Sequence, residues 1–480
     1  MSADTVEPPL YTAREPVFPR SVSGLFRRMK WWIMGFCLAV YYVTPWIRWD
    51  RGPEMPDQAV LVDLANRRFF FFFIEIWPTE FYYVAGMLIM AGLGLFLFTA
   101  VLGRVWCGYA CPQTVWTDLF QHVERWIDGD RNAQMRLWNR PWDGVKIRRR
   151  AAKWSIWLMI SIATGGAWVF YFADAPTLLA GLATGTAPAV AYASIAVLTF
   201  TTFSLGGFMR EQVCIYMCPW PRIQAAMMDE NTLTVAYRDE RGEPRGKHRK
   251  REGADDLGDC IDCNACVAVC PTGVDIREGQ QLGCITCALC IDACDEIMDK
   301  VGKPRGLIDY VALDDTQRAA TGREAVPLTA RLFRPRVFLY TALWAGIGVL
   351  MLAVLATRGH LDLRVAHSRN PTFVTLSDGS IRNTYDVTVA NRLFAPTAFT
   401  LGLAEAGGTL PTGRLEMRVG GIDDGAAPVV EVPADRTGDV RVFVTAPPGV
   451  APAGQSSIVI TVENPETGER EAVETVFIAP

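Results

Sequence analysis

Residues 260–271 read Cys260-Ile-Asp-Cys263-Asn-Ala-Cys266-Val-Ala-Val-Cys270-Pro271, and residues 284–294 repeat the spacing as Cys284-Ile-Thr-Cys287-Ala-Leu-Cys290-Ile-Asp-Ala-Cys294. This is the C-x2-C-x2-C-x3-C rhythm in which three thiolates of a short segment wrap three irons of one [4Fe-4S] cluster, while the fourth crosses a pseudo-twofold axis to the other. The spacing assigns Cys260, Cys263, Cys266 and Cys294 to one cluster, and Cys270, Cys284, Cys287 and Cys290 to the second. The second run ends on Asp295 where the first has Pro271, a departure expected to loosen the turn without removing a ligand. Paired four-cysteine zinc sites are the alternative, but zinc motifs join two close cysteines and then leave a gap.

The remaining cysteines and the composition fit this reading. All 13 cysteines lie between Cys37 and Cys294, and 8 of them fall within residues 260–294, a ligand density that a secreted disulfide scaffold does not show. A chain of 480 residues implies several domains. Half of the residues are hydrophobic and the net charge is −4, so nothing global points to nucleic acid.

Five stretches are apolar enough to suggest membrane spans: Trp31–Ile47, Phe81–Leu102, Trp154–Phe172, Val190–Phe208 and Val337–Ala356. The first is the shortest, and Trp31, Trp32, Trp46 and Trp49 flank it as interfacial anchors. Arg27, Arg28 and Lys30 precede it, and the 103–153 loop is rich in arginine and lysine. The positive-inside rule then places the N-terminus, that loop and the 209–336 insert in the cytoplasm, with residues 357–480 outside. The expected fold class is therefore an α-helical integral membrane protein of five spans, with a two-cluster ferredoxin-like insert and a C-terminal immunoglobulin-like β-sandwich. Its parts are a cytoplasmic segment at 1–30, a four-helix membrane region at 31–208, a cytoplasmic region at 209–336 with the ferredoxin fold at about 255–300, a fifth span at 337–356 and a periplasmic sandwich at 357–480.

A second motif occurs twice. Cys107-Gly-Tyr-Ala-Cys111-Pro112 follows the second apolar stretch and Cys214-Ile-Tyr-Met-Cys218-Pro219 the fourth. The shared position suggests an internal repeat of two hairpins, each ending in a thiol pair near one membrane surface. Residues four apart share a helix face, so Cys107, Cys111, Cys214 and Cys218 are expected to converge. Soft thiolates suit Cu(I), zinc or an iron-sulfur centre, and the neighbouring arginines are expected to favour deprotonation. Met217, Met227 and Met228 are read as packing, as is Cys37.

Absences narrow the chemistry. The four histidines, His122, His248, His360 and His367, all lie outside the apolar stretches, which leaves no axial ligands for a membrane cytochrome. No G-x-G-x-x-G fingerprint or P-loop is present, so nicotinamide and ATP are unsupported. Residues 238–256 form a mixed charge run, including the basic stretch 247–251, read as a solvated linker beside anionic headgroups or a docking partner. In the tail, 384–390, 441–446 and 457–463 alternate β-branched residues between turn signals, which predicts the sandwich.

Taken in order, two C-x3-C-P motifs at helix ends, a two-cluster insert, a last span and an outer β-sandwich resemble the CcoG/FixG/RdxA family of cytochrome c oxidase accessory proteins. The resemblance covers nearly the whole chain. It implies a bacterial inner-membrane protein that reduces Cu(II) to Cu(I) for assembly of a cbb3-type oxidase, with copper as substrate or transient ligand of Cys107, Cys111, Cys214 and Cys218. It also implies oxidase assembly factors and copper carriers as partners, beside membrane lipid and an unidentified cytoplasmic electron donor. Two other readings stay open: a quinol-linked subunit of a respiratory reductase, and a non-enzymatic scaffold or redox sensor.

Overall fold

The computed structural model describes residues 16–52, 55–247, 257–324, 326–393, 395–404, 410–421 and 428–480. Of the basic stretch 247–251 only Lys247 lies within them. The described residues divide into two compact units, one within 1–49 and 58–351, the other within 50–57 and 352–480.

The first unit is mainly helical. Helix α1 (Leu25–Val43) is followed by a small antiparallel meander of β1 (Val60–Asp63), β2 (Arg68–Phe71) and β3 (Ile74–Ile76), which the sequence reading leaves unassigned. Then come α2 (Tyr82–Leu102), the short α3 (Val105–Tyr109), α4 (Pro112–Asp128), α5 (Arg131–Asn139), α6 (Gly144–Val169), α7 (Ala175–Thr184) and α8 (Ala189–Thr202). Helix α8 widens into a π-helical stretch, Phe203–Met209. Helices α9 (Trp220–Met227), α10 (Asp239–Gly242), α11 (Ala265–Val269), α12 (Leu289–Val301), α13 (Leu313–Ala320) and α14 (Leu328–Leu332) lead to α15 (Pro335–Thr357). Strands β4 (Thr234–Tyr237) and β5 (Ile308–Val311) pair antiparallel on either side of the cysteine runs in sequence.

Three of the described helices are long and apolar enough to cross a membrane, Pro78–Leu102, Ala189–Met209 and Pro335–Thr357, rather than the five the sequence predicts. The other two stretches do form helices, but differently. Helix α1 spends its first turns on Arg27, Arg28 and Lys30 and ends at Val43, ahead of Pro45. Helix α6 carries Lys146, Arg148, Arg149, Arg150 and Lys153 in its first turns, and Ser155, Ser161, Thr164, Gly165 and Gly166 dilute the rest. The apolar run in each is therefore shorter than its helix.

The amphipathic α4 explains how so many cations share one end of the bundle. Its inner face supplies Asp118, Glu124 and Asp128, all buried. Arg27 of α1 meets Asp118 at 2.9 Å, Arg210 meets Glu124 at 2.7 Å, and Lys153 of α6 reaches Glu124 at 2.7 Å and Asp128 at 2.6 Å. Burial works to raise the Glu124 carboxyl, but Arg210 and Lys153 outweigh it and hold it below the usual range; for Asp118, Lys30 and Arg27 do the same. A flat stack of Phe120 on Trp157, 5.3 Å between centroids, closes the layer beneath.

Breaking such a network strands charge in the interior. Lys153→Met is expected to cost about 3–5 kcal/mol, because the buried Asp128 carboxylate then loses its ion pair. Thermal unfolding in detergent checks this: Lys153→Met should melt well below the parent, and Lys153→Met with Asp128→Met should recover much of the loss. Equal melting of parent and single variant would show the pair to be inert.

The second unit is a two-sheet sandwich. One sheet contains β6 (Leu361–His367), β7 (Val374–Thr375), β8 (Ile381–Asn391), β10 (Glu416–Val419) and β12 (Arg436–Ala446), in the order β10-β12-β8-β6 with β7 beside β8. The other runs β11-β9-β13-β14, from β9 (Thr397–Ala404), β11 (Val429–Val432), β13 (Gly454–Glu463) and β14 (Arg470–Ala479). Alternation does the sorting: Tyr385, Val387 and Val389 of β8 face Ile458, Ile460 and Val462 of β13 in one core, while the intervening residues turn outward. The predicted strands at 384–390, 441–446 and 457–463 fall within β8, β12 and β13.

Candidate functional site

The two ferredoxin-type runs fold into matching loops. In each, the residues on either side of the middle cysteine adopt left-handed backbone: Asp262 (φ 52°) and Asn264 (φ 55°) around Cys263, Thr286 (φ 55°) and Ala288 (φ 60°) around Cys287. Four non-glycine residues in this costly region at equivalent positions indicate a backbone held for function. The fold makes it affordable by bracing. Arg277 bonds Asp262 at 2.7 Å and Asp275 at 2.8 Å and also reaches Asn264, while the Tyr310 hydroxyl donates to the Thr286 carbonyl at 3.0 Å.

The thiols fall into two groups. Cys294 lies within electrostatic reach of Cys266, Cys263 and Cys260, and its thiol is pushed up to about 12, first by burial and then by those neighbours. Cys290 is raised likewise by burial, then by Cys287, Cys284 and Cys270, and last by Cys266 of the first group; Cys287 is pushed up to about 12. Crowded, buried thiols that repel one another as thiolates favour a positively charged occupant. All 13 are free thiols. Among the described residues no three Cys, His, Asp or Glu side chains stand close enough to hold one metal ion. Eight thiolate ligands in two such runs, with the paired left-handed loops, fit iron-sulfur clusters.

The two runs end differently. Cys270 ends α11 in extended backbone with Pro271 next, whereas Cys294 sits inside α12, which continues to Val301. Asp295 thus loosens no turn. It faces out of a continuing helix and accepts from the Gly306 amide at 2.9 Å.

The C-x3-C-P pairs do not lie on single helix faces as the spacing suggests. Cys107 belongs to α3, and Cys111 is the extended residue that caps α4, with Pro112 opening that helix. Cys214 lies in a π-helical turn, Val213–Met217, Cys218 is the extended residue after it, and Pro219 leads into α9. The repeat is one of local design: a short turn, an extended cysteine, then proline and a new helix. All four thiols come within electrostatic reach of each other, although they close no single-ion cage. Their surroundings also work against ionisation at Cys107, Cys111 and Cys214, where burial is the largest influence. Burial pushes Cys107 up to about 11 against the opposing pull of Arg104, and Cys214 up to about 12, so desolvation overrides the expected help from arginine. The Cys107 thiol donates to Gln224 of α9 at 3.1 Å.

Contacts that the spacing alone does not reveal join the two sites. Gly108, between Cys107 and Cys111, lies so close to the second loop that a Cβ there would meet the Ile285 carbonyl oxygen at 2.7 Å and the Cys287 Cα at 3.0 Å. The Tyr109 hydroxyl donates to the Cys287 carbonyl at 3.1 Å, and Arg104 reaches the Leu282 carbonyl. The glycine inside the first C-x3-C motif was the one available signal of this approach. Of the remaining candidates, Met217 is largely exposed, while Met227, Met228 and Cys37 are half-buried.

Comparison with known sequences gives the same division. Residues 209–313 match a family model described as a 4Fe-4S dicluster domain, 84–132 one described as a 4Fe-4S binding domain, and 351–480 one described as an IG-like fold at the C-terminus of FixG. The chain is 58% identical over 479 residues to Protein RdxB of Cereibacter sphaeroides, covering 99% of this chain and 98% of that one. It is 58% identical to Protein RdxA of the same organism, covering 98% of each. It is 52% identical to the nitrogen fixation protein FixG of Rhizobium meliloti, covering 100% of this chain and 96% of that one.

Proposed function

Because the chain belongs to the FixG/RdxA family, we propose that this iron-sulfur protein is an inner-membrane cupric reductase, passing single electrons to Cu(II) and releasing Cu(I) for assembly of a cbb3-type oxidase. The clusters would be held by Cys260, Cys263, Cys266 and Cys294, and by Cys270, Cys284, Cys287 and Cys290. When bound they supply one-electron transfer, the increment Cu(II) requires.

One observation carries the reading: Gly108 and Tyr109 seat the Cys107 helix directly on the Cys287 loop. The protein's own residues then divide the work. Arg277 and Tyr310 hold the cluster loops, and Arg104 ties the first C-x3-C-P motif to Leu282. Cys107, Cys111, Cys214 and Cys218 offer soft donors that favour the Cu(I) product over the Cu(II) substrate. The thiols must give up protons on binding, so copper binding is expected to release acid. In this reading the clusters face the cytoplasm, where Arg104, Arg210 and Arg334 mark the ends of the three apolar helices, and the sandwich faces the periplasm to meet assembly partners.

The test is anaerobic. Photoreduced protein freed of reductant receives Cu(II), and cluster absorbance is followed beside a Cu(I)-specific chelator. Cluster reoxidation should match Cu(I) formation in the parent, whereas a variant with all four C-x3-C-P cysteines changed to Ser should keep its iron and lose copper reduction by about a hundredfold or more, the scale of removing a reacting group. Undiminished reduction in that variant would place copper elsewhere.

A further inference from the structure

We propose that the groove between the start of α1 and the end of α4 binds a membrane quinol, and that this quinol is the electron donor to the clusters. The inference rests on the electron-transfer reading above and supplies the partner that reading leaves unnamed.

The groove has a volume of about 1160 Å³ and is walled by Trp31, Trp32 and Trp126, with His122 at one side. That is ample for a planar ring and the beginning of a prenyl tail, and indole faces are suited to such a ring. Its floor is a cation with a donor to spare. Arg27 is 7% exposed and bonds Asp118 through Nη1 at 2.9 and 3.0 Å, while its Nη2 is buried without a hydrogen-bond partner. A buried guanidinium nitrogen without a partner, on a residue that lines the groove, calls for an acceptor oxygen once its side chain turns toward the cavity. One quinone carbonyl satisfies it.

The position of the groove, against the cluster-bearing helix α12, suits a redox-active occupant. The Phe26 and Arg27 amides donate to the two oxygens of Asp292 at 3.2 and 2.7 Å, and Asp292 lies midway between Cys290 and Cys294 on α12. Gly24, in the groove wall, leaves no room for a Cβ against that same carboxylate, which would stand 2.2 Å away. Val22, also in the wall, packs against the core that contains Cys287 and Cys290. An adventitious lipid needs none of this proximity, whereas a donor to the clusters does. Oxidation of one quinol to quinone breaks two O–H bonds and yields two electrons, one to each oxidised [4Fe-4S] cluster, and two protons, which leave to water at the open mouth beside His122.

The experiment uses the full chain in nanodiscs. A photoreactive azidoquinone is bound, cross-linked and mapped by mass spectrometry, and its affinity is measured by competition with unlabelled quinone. Labelling is expected within residues 21–35 and 122–126, with affinity reduced on the order of tenfold in Arg27→Gln, the cost of losing a charged donor. Trp126→Ala, an exposed position that spares the fold, should weaken binding several-fold. Added quinol should bleach the cluster absorbance in the parent. Labelling elsewhere, affinity unchanged in both variants, or displacement of the probe by anionic phospholipid would overturn the assignment. The two readings fail separately: quinol that binds and reduces the clusters without Cu(I) formation sinks the copper reading alone. Photoreduced protein that reduces copper but binds no quinone sinks this one alone.

Discussion

Cys263→Ala and Cys294→Ala are expected to remove the same cluster, each lowering iron from about eight to about four atoms per chain, and the double variant should lose no more than either single one. Cys263→Ala combined with Cys287→Ala should leave essentially none. Sequence distance argues the opposite pairing, since Cys263 and Cys270 share one run while Cys294 closes the other. The fold nevertheless brings Cys294 beside Cys266, Cys263 and Cys260, and Cys270 beside Cys284, Cys287 and Cys290. Iron and acid-labile sulfide analysis decides the matter. Complete iron loss in Cys263→Ala with Cys294→Ala, when each single variant retains half, would show that the fourth thiolates do not cross between runs.

The spacing predicts this crossing because ligand geometry is local: three thiolates at fixed short intervals leave little freedom for the loop between them. The strands of the sandwich were legible because apolar residues recur at every second position, as at Ile458, Ile460 and Val462, which share one core. Helix length in the membrane region was not. Apolar runs give the interior of a span, but the charged first turns of α1 and α6 are also helical, and their charges are absorbed by Asp118, Glu124 and Asp128 on a helix 90 or more residues away from Arg27 in sequence or 25–29 from Lys153. Pairing of that kind leaves no periodic trace. The same limit applies to the thiol pairs. Their i, i+4 spacing suggests one face, yet Pro112 and Pro219 break the helix immediately after each pair and force Cys111 and Cys218 into extended backbone. Charge proximity also misleads about ionisation, because Arg104 lowers the Cys107 thiol by less than burial raises it.

Gly108→Val is expected to uncouple the two sites while leaving both clusters in place. The added Cβ would fall 2.7 Å from the Ile285 carbonyl oxygen and 3.0 Å from the Cys287 Cα, backbone atoms that cannot swing aside. Either α3 lifts away from the loop or the loop moves, and the loop is pinned by Tyr310 on Thr286 and by two left-handed residues, so α3 is the element that yields. Its displacement breaks the Tyr109 bond to Cys287 and carries Cys107 outward with it. Overpacking of this kind costs about 1–3 kcal/mol, too little to unfold the unit. Copper reduction by photoreduced protein should nevertheless fall by at least about tenfold, since displacements near 1 Å at a reacting site carry losses of that order or more. Gly144→Val tests whether the effect is local, because nothing lies within 4 Å of a Cβ at that position. Unchanged copper reduction in Gly108→Val, with iron retained, would mean that electrons reach copper by a route that does not use the contact between α3 and the Cys287 loop.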